Sequence, residues 1–176
     1  MLRTTLAALA LVAGLPLAAY AHGPSRQKVV ETVEINAPAD KVWAAIGNFQ
    51  DMGWHPAIDK TAGTGGNDAG AKRTLTLKGG GTIEEALTSY KADAKSYSYE
   101  ITTVDVKVLP VNNYSSSIHV TGEGDKSIVE WKGAFYRGFV NNDPPPELND
   151  EAAVKAVTGV YRAGLDALKA KIEGGK

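Results

Sequence analysis

Two periodicities divide the chain. After residue 25 the first regular stretch is Val29 to Ile35, where β-branched residues alternate with polar ones at a period of two. That alternation predicts a half-buried strand. Asn36-Ala37-Pro38-Ala39-Asp40 breaks the strand, and the period then changes to the helical one, with Val42, Trp43, Ile46 and Phe49 on one side of a helix ending near Asn48. Asp51 to Ile58, which carries Met52, Trp54 and His55, predicts a second short helix or a turn. Thr61 to Gly70 is rich in Gly, Thr and Asn and predicts a loop.

Strand signals follow in succession. Arg73 to Lys78 alternates, Gly79-Gly80-Gly81 turns the chain, and Thr82 to Tyr90 returns. Lys91 to Lys95 is a second turn. Ser96 to Val104 places Tyr97, Tyr99 and Ile101 on one face. Asn112 to Thr121 and Ile128 to Arg137 are strands joined by Gly122-Glu123-Gly124-Asp125. Pro144-Pro145-Pro146 ends the run. Asp150 is the expected N-cap of a long helix reaching about Ile172, with Val157, Val160, Tyr161, Gly164, Leu165 and Leu168 in one apolar stripe. Short turns between strands predict an antiparallel sheet, and the final helix must bury its stripe on one sheet face. The expected class is α+β: a curved antiparallel sheet around a long C-terminal helix, with two short helices after the first strand and a hollow between sheet and helix.

The N-terminus reads differently. Arg3 precedes an apolar run from Leu6 to Ala19, and Ala19-Tyr20-Ala21 is a small-x-small pattern before polar His22-Gly23-Pro24-Ser25. This is the pattern of a cleavable export signal, and the run is short for a membrane span of about 20 residues. The expectation is a signal peptide over residues 1–21 and one exported domain over residues 22–176.

Composition narrows the chemistry. The 176 residues are 43% hydrophobic and 22% charged with a formal net charge of −1, which supplies no electrostatic motive for binding nucleic acid or anionic membrane. With no cysteine, disulfides, thiol catalysis and cysteine-ligated metals are excluded. His22, His55 and His119 form no metal-ligand motif, and neither a nucleophile elbow nor a phosphate loop is present. No cofactor is expected.

The candidate site residues are those that face the expected hollow. Trp54 and His55 follow the first helix. They would either wall and hydrogen-bond a ligand or simply pack and cap that segment. Glu31 shares a strand face with Val29, Val33 and Ile35, and Glu85 shares one with Ile83 and Leu87. A carboxylate on an apolar face needs a partner or a wet cavity, and Arg137, in phase with Val129, Trp131 and Phe135, is the expected partner. Alternatively, a bulge turns these charges outward. Tyr99, Trp131 and Phe135 complete the expected lining. Tyr97, Tyr114, Tyr136 and Tyr161 are further phenols that would serve either a pocket or ordinary packing.

Three stretches carry a family resemblance. They are Val33-Glu34-Ile35-Asn36-Ala37-Pro38-Ala39-Asp40-Lys41-Val42-Trp43, Trp54-His55-Pro56-Ala57-Ile58, and Gly81 to Tyr90 followed by Tyr97-Ser98-Tyr99-Glu100-Ile101. With the final helix they resemble the START-like, or SRPBCC, superfamily in its polyketide cyclase/dehydrase branch. That resemblance implies the helix-grip fold with an internal cavity. The export pattern, together with Trp54 to Ile58 and His22-Gly23-Pro24, resembles the periplasmic MxaD type. This implies a non-catalytic accessory that assists electron transfer from methanol dehydrogenase to a cytochrome c, with a small hydrophobic ligand as a further partner. The other reading is a cyclase or dehydratase with His55, Glu31 or Glu85 as acid/base. Cleavage after Ala21 predicts that mass spectrometry of the exported protein finds His22 at the N-terminus. A retained Met1 with membrane association would contradict it.

Overall fold

The computed structural model describes residues 23–174, so the signal-peptide expectation for residues 1–21 lies outside the described residues. The elements are β1 (Gln27–Ile35), α1 (Ala39–Ile46), β2 (Ile58–Thr64), β3 (Lys72–Leu77), β4 (Thr82–Lys91), β5 (Ser96–Val104), β6 (Val111–Glu123), β7 (Lys126–Arg137), a 3-10 turn at Pro146–Leu148 and α2 (Asp150–Gly174). The seven strands form one antiparallel sheet in the order β1-β7-β6-β5-β4-β3-β2. This is the helix-grip arrangement, with α2 held in the concavity of the sheet.

Three local expectations need correction. Of the short helix or turn expected at Asp51 to Ile58 the structure has the turn, so the second short helix is absent: His55 N–H donates to the Met52 carbonyl and Ile58 N–H to that of His55. Thr61 to Thr64 is not loop but the end of β2, paired from Thr61 with Leu75 to Thr64 with Lys72. That edge strand is largely exposed, so it carries no alternation to read. The ladder to β3, rather than side-chain burial, makes it a strand. The cap of α2 is Asn149, not Asp150: Asn149 Oδ1 accepts from Ala152 N–H at 2.8 Å. One residue later, Asp150 takes a place in the first turn, where a carboxylate also complements the helix dipole.

Helix α2 buries Ala153, Val157, Tyr161, Gly164, Leu165, Leu168 and Ile172, while Val160 of the expected stripe is only half-buried. Against them the sheet presents Val129, Trp131 and Phe135 of β7 and Val29 and Ile35 of β1. A β-bulge in β6 lies between Asn112 and Ser115, with Asn113 at φ +46°. It changes the phase of the strand, so that Val111 and Tyr114, three apart, both point inward. Two glycines allow the close packing. A Cβ on Gly164 would lie 2.5 Å from the His55 ring, and one on Gly133 would lie 2.3 Å from the Tyr161 hydroxyl.

Because Leu168 has no exposed surface, Leu168→Ala is expected to destabilise the protein by about 2–5 kcal/mol in urea unfolding. A loss under about 0.5 kcal/mol, the level of a surface change, would contradict the packing described here.

Candidate functional site

The hollow between sheet and helix is a cavity of about 50 Å³. Its walls are mostly apolar, from Ile58, Leu75, Leu77, Ile83, Ile101 and Leu109. Polar groups reach it from His55, Glu85, Tyr99 and Tyr114, and Trp131 and Val160 border it on the helix side.

Four expected site residues therefore line the cavity (His55, Glu85, Tyr99 and Trp131) and four do not. Trp54 is buried beside it, its ring centroid 5.5 Å from that of Trp131, so it supports the wall from behind. Phe135 lies deeper under the helix, stacked on Tyr114 at 6.0 Å. Glu31 sits near the sheet edge, half-buried, and pairs with Arg162 of α2 at 3.4 Å. Arg137 pairs with neither glutamate. Its guanidinium donates to the carbonyls of Phe139 and Asn141 and reaches Asp150 at 3.4 Å, holding the β7–α2 connection. Of the remaining phenols, Tyr97, Tyr114 and Tyr161 are buried, whereas Tyr136 lies on the outer face within 5.6 Å of Arg26.

The partner of Glu85 is Arg73, which the alternation of β3 had not singled out. Arg73 Nε donates to Glu85 Oε2 at 2.5 Å, and Nη1 donates to the Phe49 carbonyl at 2.7 Å. The guanidinium also lies 4.1 Å from the Phe49 ring centroid and 5.1 Å from that of Tyr99, within cation–π range. Its signal was present: Arg73 shares its strand face with Leu75 and Leu77, and the Gly-rich hairpin sets Arg73 directly opposite Glu85. Burial pushes the Glu85 carboxyl up, against the pull of Arg73. Burial alone would lower Arg73, but Glu85 and the Tyr97 and Tyr99 hydroxyls outweigh it and raise the guanidinium. The 2.5 Å contact to a guanidinium that stays charged makes the two side chains an ion pair.

A hydroxyl network ties α2 to the sheet. Ser116 Oγ donates to the Lys132 carbonyl at 2.8 Å. Its oxygen then accepts from Trp131 Nε1–H and from the Tyr161 hydroxyl, each at 3.0 Å. Tyr161 thus spends its hydrogen on Ser116, and Tyr114 is the donor in the 2.5 Å contact between the two phenols. Trp131 Nε1–H is shared with the Tyr99 oxygen at 3.1 Å. Burial raises the Tyr99, Tyr114 and Tyr161 phenols above the ordinary tyrosine value and pushes Tyr97 up to about 12. All four stay protonated at neutral pH.

His55 is fixed by backbone on both sides. Nε2 lies 3.0 Å from the Val160 carbonyl, and Nδ1 accepts from Ala57 N–H at 3.2 Å. These partners define the neutral tautomer protonated at Nε2. Burial lowers the His55 pKa below 6.5, opposed by the hydrogen bond to Val160. The sign for stability follows. The unfolded chain takes up a proton as pH falls through 6.5 and the folded chain resists, so the contribution of His55 is complete above pH 6.5 and is lost as pH falls toward its folded value. Urea unfolding is expected to show stability declining below that point, with a shallower decline for His55→Gln. Identical slopes for the two proteins would refute the assignment.

Comparison with known proteins agrees with this geometry. No curated protein matches the chain. The protein XoxI from Bacillus cereus is 32% identical, with a TM-score of 0.69 over 82% of this chain and 94% of that one. An uncharacterized protein of Bacillus thuringiensis is 31% identical, with a TM-score of 0.69 over 83% and 98%. Norcoclaurine synthase from Thalictrum flavum, solved in complex with dopamine and hydroxybenzaldehyde, shares the fold alone: 17% identity and a TM-score of 0.62 over 88% and 90%. Residues 26–173 match the family described as polyketide cyclase / dehydrase and lipid transport. With nearly all the described residues inside that match, the chain belongs to this family.

Proposed function

We propose that this protein is a non-catalytic, cavity-containing accessory that works in the periplasm and assists electron transfer from methanol dehydrogenase to a cytochrome c. The observation that carries the non-catalytic part is the commitment of the one imidazole on the cavity. Both ring nitrogens of His55 are held by backbone groups, and burial keeps the ring neutral. The Glu85 carboxylate is bound to Arg73, and the phenols are held far from a basic form. General acid/base catalysis needs a group poised near the working pH and free to exchange its proton. This cavity instead offers shape and fixed hydrogen-bonding groups, which suit binding.

The periplasmic and methanol-oxidation parts rest on the resemblance of Trp54 to Ile58, the export pattern of residues 1–21 and the His22-Gly23-Pro24 start to the MxaD type. A cyclase or dehydratase acting on a small hydrophobic substrate is the competing reading. It is supported by the family and by His55 and Glu85 lining the cavity.

The test is reduction of the cytochrome by methanol dehydrogenase with and without this protein. The expected outcome is a faster rate with the protein present, no turnover by the protein alone, and an increase that weakens with added salt where charged surfaces steer the encounter. An unchanged rate across a range of ratios removes the accessory role. Conversion of a cyclic or polyketide-like substrate, abolished by His55→Ala, would establish the enzyme reading instead.

A further inference from the structure

The hydroxyl network leaves one hydrogen unplaced. Ser116, Tyr161, Tyr114 and Trp131 each donate to an acceptor already named. Tyr99 accepts from Trp131, yet its own O–H meets no acceptor among the described residues. Glu85 shows the converse. Oε2 is taken by Arg73, and the other oxygen accepts no hydrogen bond among the described residues. Both side chains line the same cavity, and both are at least 95% buried, with 2% and 5% exposure. A phenol hydrogen and a carboxylate oxygen that face a cavity without a protein partner are open to a bound molecule. The other polar groups on the wall, His55 and Tyr114, already have partners, and the remainder is apolar.

The geometry points to a ligand that nothing so far has specified: a small neutral molecule with a short apolar body and one hydroxyl. This inference rests on the binding reading given above and assigns that cavity its ligand class. A hydroxyl is a small uncharged group that both accepts, here from Tyr99, and donates, here to Glu85. A cation is disfavoured because Arg73 already neutralises the carboxylate. An anion is disfavoured because it has no hydrogen to give the open Glu85 oxygen. Size follows from the volume: about 50 Å³ holds about three to five water-sized groups, so the ligand is a short-chain alcohol. Tyr99 and Glu85 would supply its specificity and the aliphatic wall its remaining contacts.

The experiment compares two isomers on the full mature protein, propan-1-ol and methoxyethane. They have the same atoms, but only the alcohol can donate. The reporter is the indole N–H resonance of Trp131, because that group already hydrogen-bonds Tyr99. Propan-1-ol is expected to shift the resonance saturably and to bind about fivefold or more tightly than methoxyethane, the effect of one hydrogen bond. Tyr99→Phe is expected to erode that preference while leaving the fold intact, since Trp131 keeps its bond to Ser116. Equal binding of the isomers, or a preference untouched in Tyr99→Phe, overturns the assignment of an alcohol. Xenon serves as the control for the cavity itself. Xenon entry without binding of either isomer overturns the ligand class and leaves the binding reading standing, whereas exclusion of xenon and both isomers removes the cavity as a site altogether.

Discussion

The stack of Trp131 on Tyr161 is the contact on which the rest of the molecule turns. The two rings lie 4.3 Å apart and 14° from parallel, one from the centre of β7 and one from the middle of α2. Such proximity requires the helix to lie nearly on the sheet. Gly164 makes room for Trp131 and His55 from the helix side, and Gly133 makes room for the Tyr161 hydroxyl from the sheet side. The polar tips of both rings would be stranded in an apolar core, and the Ser116 and Tyr114 hydroxyls satisfy them. A buried hydrogen-bond network is directional, whereas apolar packing tolerates slippage. The network therefore sets where along the sheet the helix comes to rest, and with it the position of Val160 and the size of the cavity.

The Arg73–Glu85 pair performs a similar service on the other side of the hollow. Burying two charges costs about as much as their attraction returns, so the pair is weak evidence for added stability. Its geometry is more telling. Arg73 also holds the Phe49 carbonyl and lies against the Phe49 ring. It thus connects β3 to the end of the segment that leads from α1 into the His55 turns. His55 then reaches the Val160 carbonyl on α2. Sheet, connecting segment and helix are joined around the cavity by polar links, which leaves the aliphatic side chains to line it.

The sheet edge at β1 is closed by the same helix. Arg162 donates to the Thr32 carbonyl at 3.1 Å, and Lys169 donates to that of Glu34 at 2.6 Å. An uncovered strand edge invites pairing with another chain. Two long cationic side chains from α2 occupy these acceptors, and Glu31, on the same strand, is taken up by Arg162 instead of entering the cavity.

Much of this was legible in the amino-acid order. Strand alternation, the Gly-rich turns and the apolar stripe of α2 are local periodic signals, and they determined the element order, the antiparallel sheet and the burial of Leu165, Leu168 and Tyr161. They also placed Glu85 on an inward face. What they could not determine is which inward groups meet. Arg137 and Arg73 both lie on apolar strand faces, and only the β3–β4 register sets Arg73 opposite Glu85 while the turn into α2 claims Arg137. The bulge at Asn113 reverses the phase of β6 and brings Tyr114 inward. β2 and the turns at Asp51 to Ala57 are held by backbone pairing and left no side-chain pattern to read. A period describes one element at a time, whereas a site is made where several elements converge. Tertiary structure alone decided that His55, Glu85, Tyr99 and Trp131 share one small cavity.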